Sequence, residues 1–592
     1  MMKIAHVTIK NFRNLTNVSV PLFNVTTVIG NNNSGKSNFL RAITLPLLSD
    51  DVSSGSKNLA WTDIGNEAKK KYYDFIKENR SQFLSDEVSQ EDFERIIPSV
   101  SVKIDWDVSE EEHYAMLDFL IGGPETEKLE YALEYGFRCK NIKELFNRVI
   151  EVLKKADHNT DIAELYQNLL PIDLYSYSIF IPQKNQRVSY DSLKNFKYNS
   201  IAAERDDFSN SNVRLGSKSL IQILNNKLET EDMIQIEKEY ASFFEQIKSL
   251  SKMENILNWQ ELSEIENAKE FFAKISILPN MPPMTSLLNG VKLGYDDVGL
   301  ASHGLGYRNL ILQLVLINSM LEASKSVLSL LTIEEPEAHL CYRNEQLMMS
   351  YISSLEKGDK NLQLVYSTHS INFINKLDLK NIVLFDKGTA YAFSENFSES
   401  ELDYLTKNPN LDLFKLFYSK KCILVEGISE ELLIKSYLRN QNKLLNDVEV
   451  ISFHKGFKKI ISLWIKLNEG STNMLGIIRD FDNEPTAQKE HEKYNQYNNV
   501  YIRTTHNYTL EDEIVSQNDN YFILKDYFKS KYDWSNIDSK EALSQKWKNA
   551  KAEVMLKFCQ DLSSEALNNI VLPRHIDEVL RAFDLARPSV ED

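Results

Sequence analysis

At 592 residues, with 42% hydrophobic and 26% charged side chains, the chain is too long for one ordinary domain and has the make-up of globular protein. Its net charge of −17 excludes a general polycation that coats nucleic acid, while leaving room for a local basic groove. No apolar run approaches the roughly eighteen residues of a membrane span, the first residues hold no signal-peptide core, and Cys139, Cys341, Cys422 and Cys559 form no CxxC pair. No membrane association, disulfide framework or structural zinc is therefore expected, and the cytoplasm is the expected compartment.

In chain order, residues 3–14 read as a strand running into a turn, and residues 25–29 as a short β-branched buried strand. The second strand leads into Gly30-Asn31-Asn32-Asn33-Ser34-Gly35-Lys36-Ser37, a complete GxxxxGK[ST] loop, and the first turns of a helix follow. Glycines let successive N–H groups turn toward a phosphate at a positively polarised helix start. ATP is the expected ligand of Asn31, Asn32, Asn33, Ser34, Gly35, Lys36 and Ser37, with Lys36 on the β- and γ-phosphates and Ser37 on Mg²⁺.

Residues 57–95 carry Lys and Glu at helical spacing, residues 100–106 alternate as a half-buried strand, and residues 109–170 read as mostly helical. Strand candidates follow at 174–181 and 199–203. From 218 to 273 the pattern is helical with no Gly or Pro, which predicts an inserted hairpin or bundle, either a solvated pair or a dimerisation element. Next, Ser302-His303-Gly304-Leu305-Gly306 is a Gly-containing turn opening an apolar helix over 309–320, a second helix start that can face phosphate. Residues 327–333 form an apolar strand ending in Glu334 and Glu335, one acid for the Mg²⁺ shell and one to polarise an attacking water. A third strand, 362–368, ends at His369.

The order IKNFRN, GNNNSGKS, SHGLGYRN, IEEPEAHL and STHS resembles the ABC-type ATPase heads of the SMC-like and OLD (overcoming lysogenisation defect) proteins. The resemblance implies that Ser302 and Gly304 of one head complete the ATP site of another, making a homo-oligomer. It also implies a metal role for Glu334, water activation by Glu335 and γ-phosphate sensing by His369. The usual metal acid of such heads is Asp; Glu334 is longer, which changes its reach to Mg²⁺.

A new α/β unit begins near residue 421. Strands at 422–425, 448–452 and 474–478 alternate with helices, predicting a parallel sheet whose strand ends line one crevice. Glu426 ends the first strand, and Asp480 and Asp482 follow the third, a set of hard oxygen ligands suited to Mg²⁺ or Mn²⁺ and to phosphodiester cleavage. This arrangement resembles the toprim domain of topoisomerases, primases and OLD nucleases. The chain lacks the zinc ribbon of a primase and the tyrosine domain of a topoisomerase. An ABC head followed by toprim is the order of the OLD family, including nuclease subunits of Gabija-like and retron-associated anti-phage systems. That resemblance adds Glu430 and Glu511 to the metal set and implies a lysine near the scissile phosphate, with Lys551 preferred over Lys546 and Lys548. It implies DNA as substrate, and leaves open a helicase, a retron reverse transcriptase with its RNA–DNA product, or no partner as companion.

The expected architecture is therefore α/β: an ABC head over 1–205 and 285–417, a helical insertion at 206–284, a toprim domain at 418–520, and a helical region at 521–592 completing the nuclease. The expected function is an ATP-binding, metal-dependent DNA endonuclease of phage defence. The alternative is an ATP-driven DNA-binding or sensing protein with a non-catalytic toprim fold.

Overall fold

The structure is a computed structural model, and it describes residues 2–49, 57–85, 87–121, 129–156, 161–202, 215–250, 282–288, 291–322, 327–356, 362–370, 373–374, 378–407, 415–416, 419–441, 448–453, 457–468, 471–480, 493–494, 496–507, 509–567 and 569–585. The chain divides into two compact units, one dominated by residues 33–369 and the other by residues 391–592.

The first unit contains a six-stranded antiparallel sheet in the order Leu15–Pro21, Lys3–Phe12, Val100–Asp107, Tyr131–Cys139, Tyr175–Ile181, Gln186–Arg187. It also contains a run of parallel strands in the order Val25–Gly30, Leu362–Ser367, Leu328–Glu334, Phe196–Ile201, Leu48–Ser49. Leu362–Ser367 is buried along its whole length, and Leu328–Glu334 is buried up to Ile333, as strands covered on both faces must be. Gln363 is one of several polar side chains buried inside this run. Its side-chain oxygen accepts from the Ile4 N–H at 2.7 Å and its amide donates to the Ile4 carbonyl at 2.9 Å, fastening the first strand to the parallel core.

Two expectations change here. Residues 109–170 are not mostly helical, because Tyr131–Cys139 is a central strand of the antiparallel sheet. The helix expected over 309–320 already starts at Leu305 and runs to Leu321. Within the expected insertion, helices Leu215–Lys227 and Thr230–Leu250 are described, and residues 251–281 lie outside the described set.

The second unit is built on a parallel four-stranded sheet in the order Val448–Ser452, Lys421–Val425, Met474–Arg479, Val500–Thr504. Helices Ile428–Asn440, Phe457–Asn468, Leu510–Ser516, Asn520–Tyr532, Lys540–Asp561 and Arg574–Ala582 accompany it. The C-terminal helices share one hydrophobic core with the sheet: Ile423, Val425 and Ile478 belong to the same buried cluster as Phe528, Trp547, Phe558 and Val579. Truncating one such side chain to Ala costs about 2–5 kcal/mol, so the C-terminal helices are integral to this unit's stability.

Candidate functional site

The phosphate loop leaves its strand at Gly30 (φ 146°) and enters helix Lys36–Thr44 through Gly35 (φ 120°). A Cβ on Gly35 would lie 2.8 Å from Leu15 Cδ2, so backbone conformation and space both demand glycine. The loop is braced from a stretch to which the sequence assigned no role of its own. Asn14 donates to the Asn33 carbonyl at 3.2 Å and accepts from Asn38 Nδ2 at 2.8 Å, and Arg13 donates to Asn38 Oδ1 at 2.8 Å. Arg13 is itself anchored on buried Asp63 at 2.8 Å. From the other side, the Gly388 N–H donates to the Ser34 carbonyl at 2.8 Å.

Lys36 is buried, which pulls its pKa down to about 8 against the opposing field of Glu335, Glu337 and Glu334. Ser34 Oγ is buried and has no hydrogen-bond partner among the described residues. A buried ammonium and an orphaned hydroxyl on a glycine-flanked loop at a helix start are what a phosphate would satisfy. The residues fit a nucleotide, with Asn31, Asn32 and Asn33 on the loop and Ser37 at the helix start.

The acids come from the neighbouring strand ends. Glu334 closes its strand opposite Ser367, and Glu335 turns left-handed (φ 45°) while its N–H donates to the Ser367 carbonyl at 3.0 Å. That strained backbone aims two adjacent carboxylates differently. His369 Nε2 lies 3.8 Å from Glu335 Oε1, and burial together with nearby Lys36 holds the imidazole below its usual pKa. Glu337, absent from the sequence-based set, accepts from Thr368 Oγ1 at 2.7 Å and the His369 N–H at 2.9 Å, tying the acidic loop to the histidine strand. Its burial raises its pKa.

Gly304 caps helix Leu305–Leu321 and Ser302 sits in the turn before it, both exposed. Leu305 and Tyr307 beside them are also exposed. Gln313 donates to the Pro336 carbonyl at 3.0 Å, and a Cβ on Gly306 would meet the His339 carbonyl at 2.6 Å, so this helix is packed tightly on the loop that follows Glu335.

In the second unit, parallel pairing sets Val425 beside Ile478, so Glu426 leaves its strand level with Arg479, one residue before Asp480. The Asp480 N–H donates to Glu426 Oε2 at 3.1 Å. Glu430 sits one turn into the next helix, buried, and accepts the Gly427 N–H at 3.0 Å. Desolvation raises its pKa to about 7, and the fields of Glu511 and Glu426 push the same way. Glu511 begins helix Leu510–Ser516. Asp482 lies outside the described residues. Among the described residues, no group of three or more His, Cys, Asp or Glu converges tightly enough to hold a metal ion. The pair Glu426 and Asp480, with buried Glu430 near, is a carboxylate set whose mutual repulsion a divalent cation would offset.

Of the three candidate lysines, Lys548 donates to both carboxylate oxygens of Asp512 at 2.9 and 3.0 Å, next to Glu511. Ser544 donates to the same Asp512 at 2.5 Å. Lys546 instead donates to the Ser535 carbonyl at 2.9 Å. Lys551 lies on the same helix, Lys540–Asp561.

Residues 2–374 match the AAA ATPase domain family AAA_15, and the chain belongs to that family. Those residues fold as an α/β ATPase domain. Among curated proteins it is similar to the endonuclease GajA of Bacillus cereus (strain HuB5-5), 22% identical over 523 residues, 75% of this chain and 69% of that protein. Solved structures it resembles include an SMC head bound to the C-terminal winged-helix domain of ScpA (13% identity, 67% of this chain, 99% of that one, TM-score 0.33) and the SMC head of Thermotoga maritima (12%, 66%, 97%, 0.25). No described helix is long and apolar enough to cross a membrane.

Proposed function

We propose that the chain is an ATP-binding, divalent-metal-dependent DNA endonuclease of OLD type, in which the ATPase head controls a toprim-type nuclease in the second unit. The observation that carries this reading is the meeting of two adjacent parallel strand ends, where the Asp480 N–H donates to the Glu426 carboxylate and Glu430 is buried at the start of the next helix. Similarity to a protein named as an endonuclease supports it. A divalent ion, Mg²⁺ or Mn²⁺, would supply Lewis-acid stabilisation of the phosphodiester oxygens when bound. Glu426 and Asp480 would hold it, with Glu430, Asp482 and Glu511 completing its surroundings. Lys551, or Lys548 steadied by Asp512 on the same helix, would lie near the scissile phosphate.

In the head, Lys36 and the loop amides bind and orient the ATP phosphates, Ser37 and Glu334 hold its metal, Glu335 takes a proton from the attacking water, and His369 faces the γ-phosphate. Ser302 and Gly304 on their exposed helix start serve the nucleotide of a second head, so the working form is a homo-oligomer. The head spans 1–205 and 285–417 around an insertion at 206–284, the nuclease spans 418–520, and 521–592 completes it. Defence against phage in the cytoplasm is the proposed setting, alone or with a helicase or a retron reverse transcriptase and its RNA–DNA product.

A second reading has one observation in its favour, the absence of a three-acid cluster among the described residues. In it the second unit binds DNA without cutting it, and ATP drives a structural or sensing cycle. Plasmid nicking by the pure protein in Mg²⁺ or Mn²⁺ separates the two. It should be abolished by EDTA and should differ between ATP, ADP and no nucleotide at constant free metal. No nicking under any of these conditions overturns the endonuclease, and equal rates in all nucleotide states overturn control by the head.

A further inference from the structure

Next to the strand that carries Glu334, the head contains a cavity of about 370 Å³. Its walls include Arg41 and Thr44 from the phosphate-loop helix, Asn199 and Ser200 from strand Phe196–Ile201, and Lys57 and Glu334. None of the phosphate-loop residues 30–37 lines it, and Glu334 is the one lining residue it shares with the proposed nucleotide site.

Lys57 is the unusual member. It is 6% exposed, and its ammonium nitrogen is shielded from bulk water with no hydrogen-bond partner among the described residues. Its carbonyl accepts the Tyr135 hydroxyl at 2.6 Å, which fixes the backbone at this point. A buried charge is ordinarily paired, because desolvation without compensation is costly. Burial alone draws the Lys57 pKa down to about 8, which still leaves the ammonium mostly protonated at neutral pH.

The rest of the lining suits an anion. Arg41 reaches Asp63 only at 3.8 Å, while Arg13 occupies the other Asp63 oxygen at 2.8 Å. Thr332 donates to Ser200 Oγ at 2.7 Å, which leaves the Ser200 hydroxyl hydrogen for another acceptor. The cavity thus has an ammonium, a guanidinium, hydroxyls and an amide against a single carboxylate, Glu334. A phosphate, with its higher charge and larger number of acceptor oxygens, uses this set more fully than a carboxylate does. The volume also falls in the range of sites for small organic ligands.

We propose that this cavity is a second anion site of the head, taking a phosphate oxyanion, free or carried on a mononucleotide, on Lys57 and Arg41. The site does not depend on the endonuclease reading, and its test uses no DNA.

The experiment is calorimetric titration of the full-length protein with inorganic phosphate or AMP. A non-hydrolysable ATP analogue is held at saturation to fill the phosphate loop, and ionic strength is kept constant. One equivalent should bind, and Lys57→Met should weaken it at least tenfold. AMP binding ten or more times tighter than phosphate identifies a mononucleotide; equal affinities identify the free oxyanion. Removing an unpaired buried charge should raise the melting temperature of Lys57→Met without ligand, so loss of binding will not stem from misfolding. Ligand should raise the melting temperature of the wild type and leave that of Lys57→Met unchanged. No saturable binding of either compound to the wild type, or undiminished binding to Lys57→Met, overturns the proposal.

Discussion

The head and the second unit both gather carboxylates at the ends of parallel strands, yet the groups around them differ. In the head, Glu334, Glu335 and Glu337 act on a buried cation of the chain itself, Lys36, and the strands carrying them are cross-tied through Glu337, Thr368 and His369. In the second unit, burial raises the pKa of Glu430, and the fields of Glu511 and Glu426 add to the rise. The head's acids are held in place by internal charge and hydrogen bonds before any ligand arrives. Those of the second unit repel one another, and an added cation is what would draw them together. The first arrangement suits a site that binds and positions a triphosphate; the second suits one assembled by its metal.

The largest expected effect tests the second half of this contrast. Asp480→Asn should lower metal-dependent plasmid nicking by about a thousandfold or more, because it removes an anionic ligand and part of the stabilisation of the leaving oxygen. Glu426→Gln should do the same. Wild-type nicking by Asp480→Asn would show that this strand end is not the metal site.

The first half is tested at Lys36 and Glu335. Lys36→Ala should weaken ATP binding about a hundredfold, since the loop has no other cationic side chain. Glu335→Gln should bind ATP with near-normal affinity and hydrolyse it on the order of a hundredfold more slowly, read as phosphate release under single turnover. Equal hydrolysis by the wild type and Glu335→Gln would remove the water-activating role.

How much of this could be read in the sequence depended on local signals. The phosphate loop, the strand leading to Glu334 and the strand Lys421–Val425 were readable because continuous β-branched and apolar runs ended at chemically distinctive residues. Tyr131–Cys139 was hidden, since it is covered on both faces, shows no alternation and lies between Lys- and Glu-rich helices. Val500–Thr504 was missed because five residues with two polar side chains fall below any pattern threshold. The bracing of the loop by Arg13 and Asn14 could not be read at all. It depends on left-handed turns at Asn11 (φ 56°) and Arg13 (φ 52°), which present both side chains to a helix start far along the chain. Lys548 differs from Lys546 only by which carboxylate or carbonyl the tertiary fold brings near.

A smaller effect distinguishes the units by acid sensitivity. His575, in the second unit, is buried, and burial with some help from His506 lowers its pKa from 6.5 to about 4, against Glu578. Below about pH 6.5 the unfolded chain takes up a proton that the folded chain refuses. This group's contribution is therefore complete above pH 6.5 and is lost as pH falls toward 4, by about 3 kcal/mol in all. Half or more of that loss should appear by pH 5 as a fall in the second unit's unfolding transition in a calorimetric scan. His575→Phe should flatten this slope relative to the wild type. Identical pH slopes in the two proteins would mean that His575 does not cause the sensitivity.

The smallest expected effect asks how far the head's preorganisation rests on its brace. Asn14 bonds the loop at the Asn33 carbonyl and the helix start at Asn38, and both bonds are exposed. Each such exposed bond is worth about 0.5 kcal/mol, the low end for hydrogen bonds, so losing both in Asn14→Ala should weaken ATP binding about three- to tenfold. Because the brace positions the loop and does not touch the reacting phosphate, single-turnover hydrolysis of saturating ATP should fall less than affinity does. Asn14→Asp keeps the acceptor for Asn38 and loses the donor to Asn33, so it should lie between Ala and wild type. An affinity loss as large as that of Lys36→Ala would show that the loop collapses without Asn14. No loss would show that the Gly388 bond to Ser34 and the two glycine turns hold the cradle open by themselves.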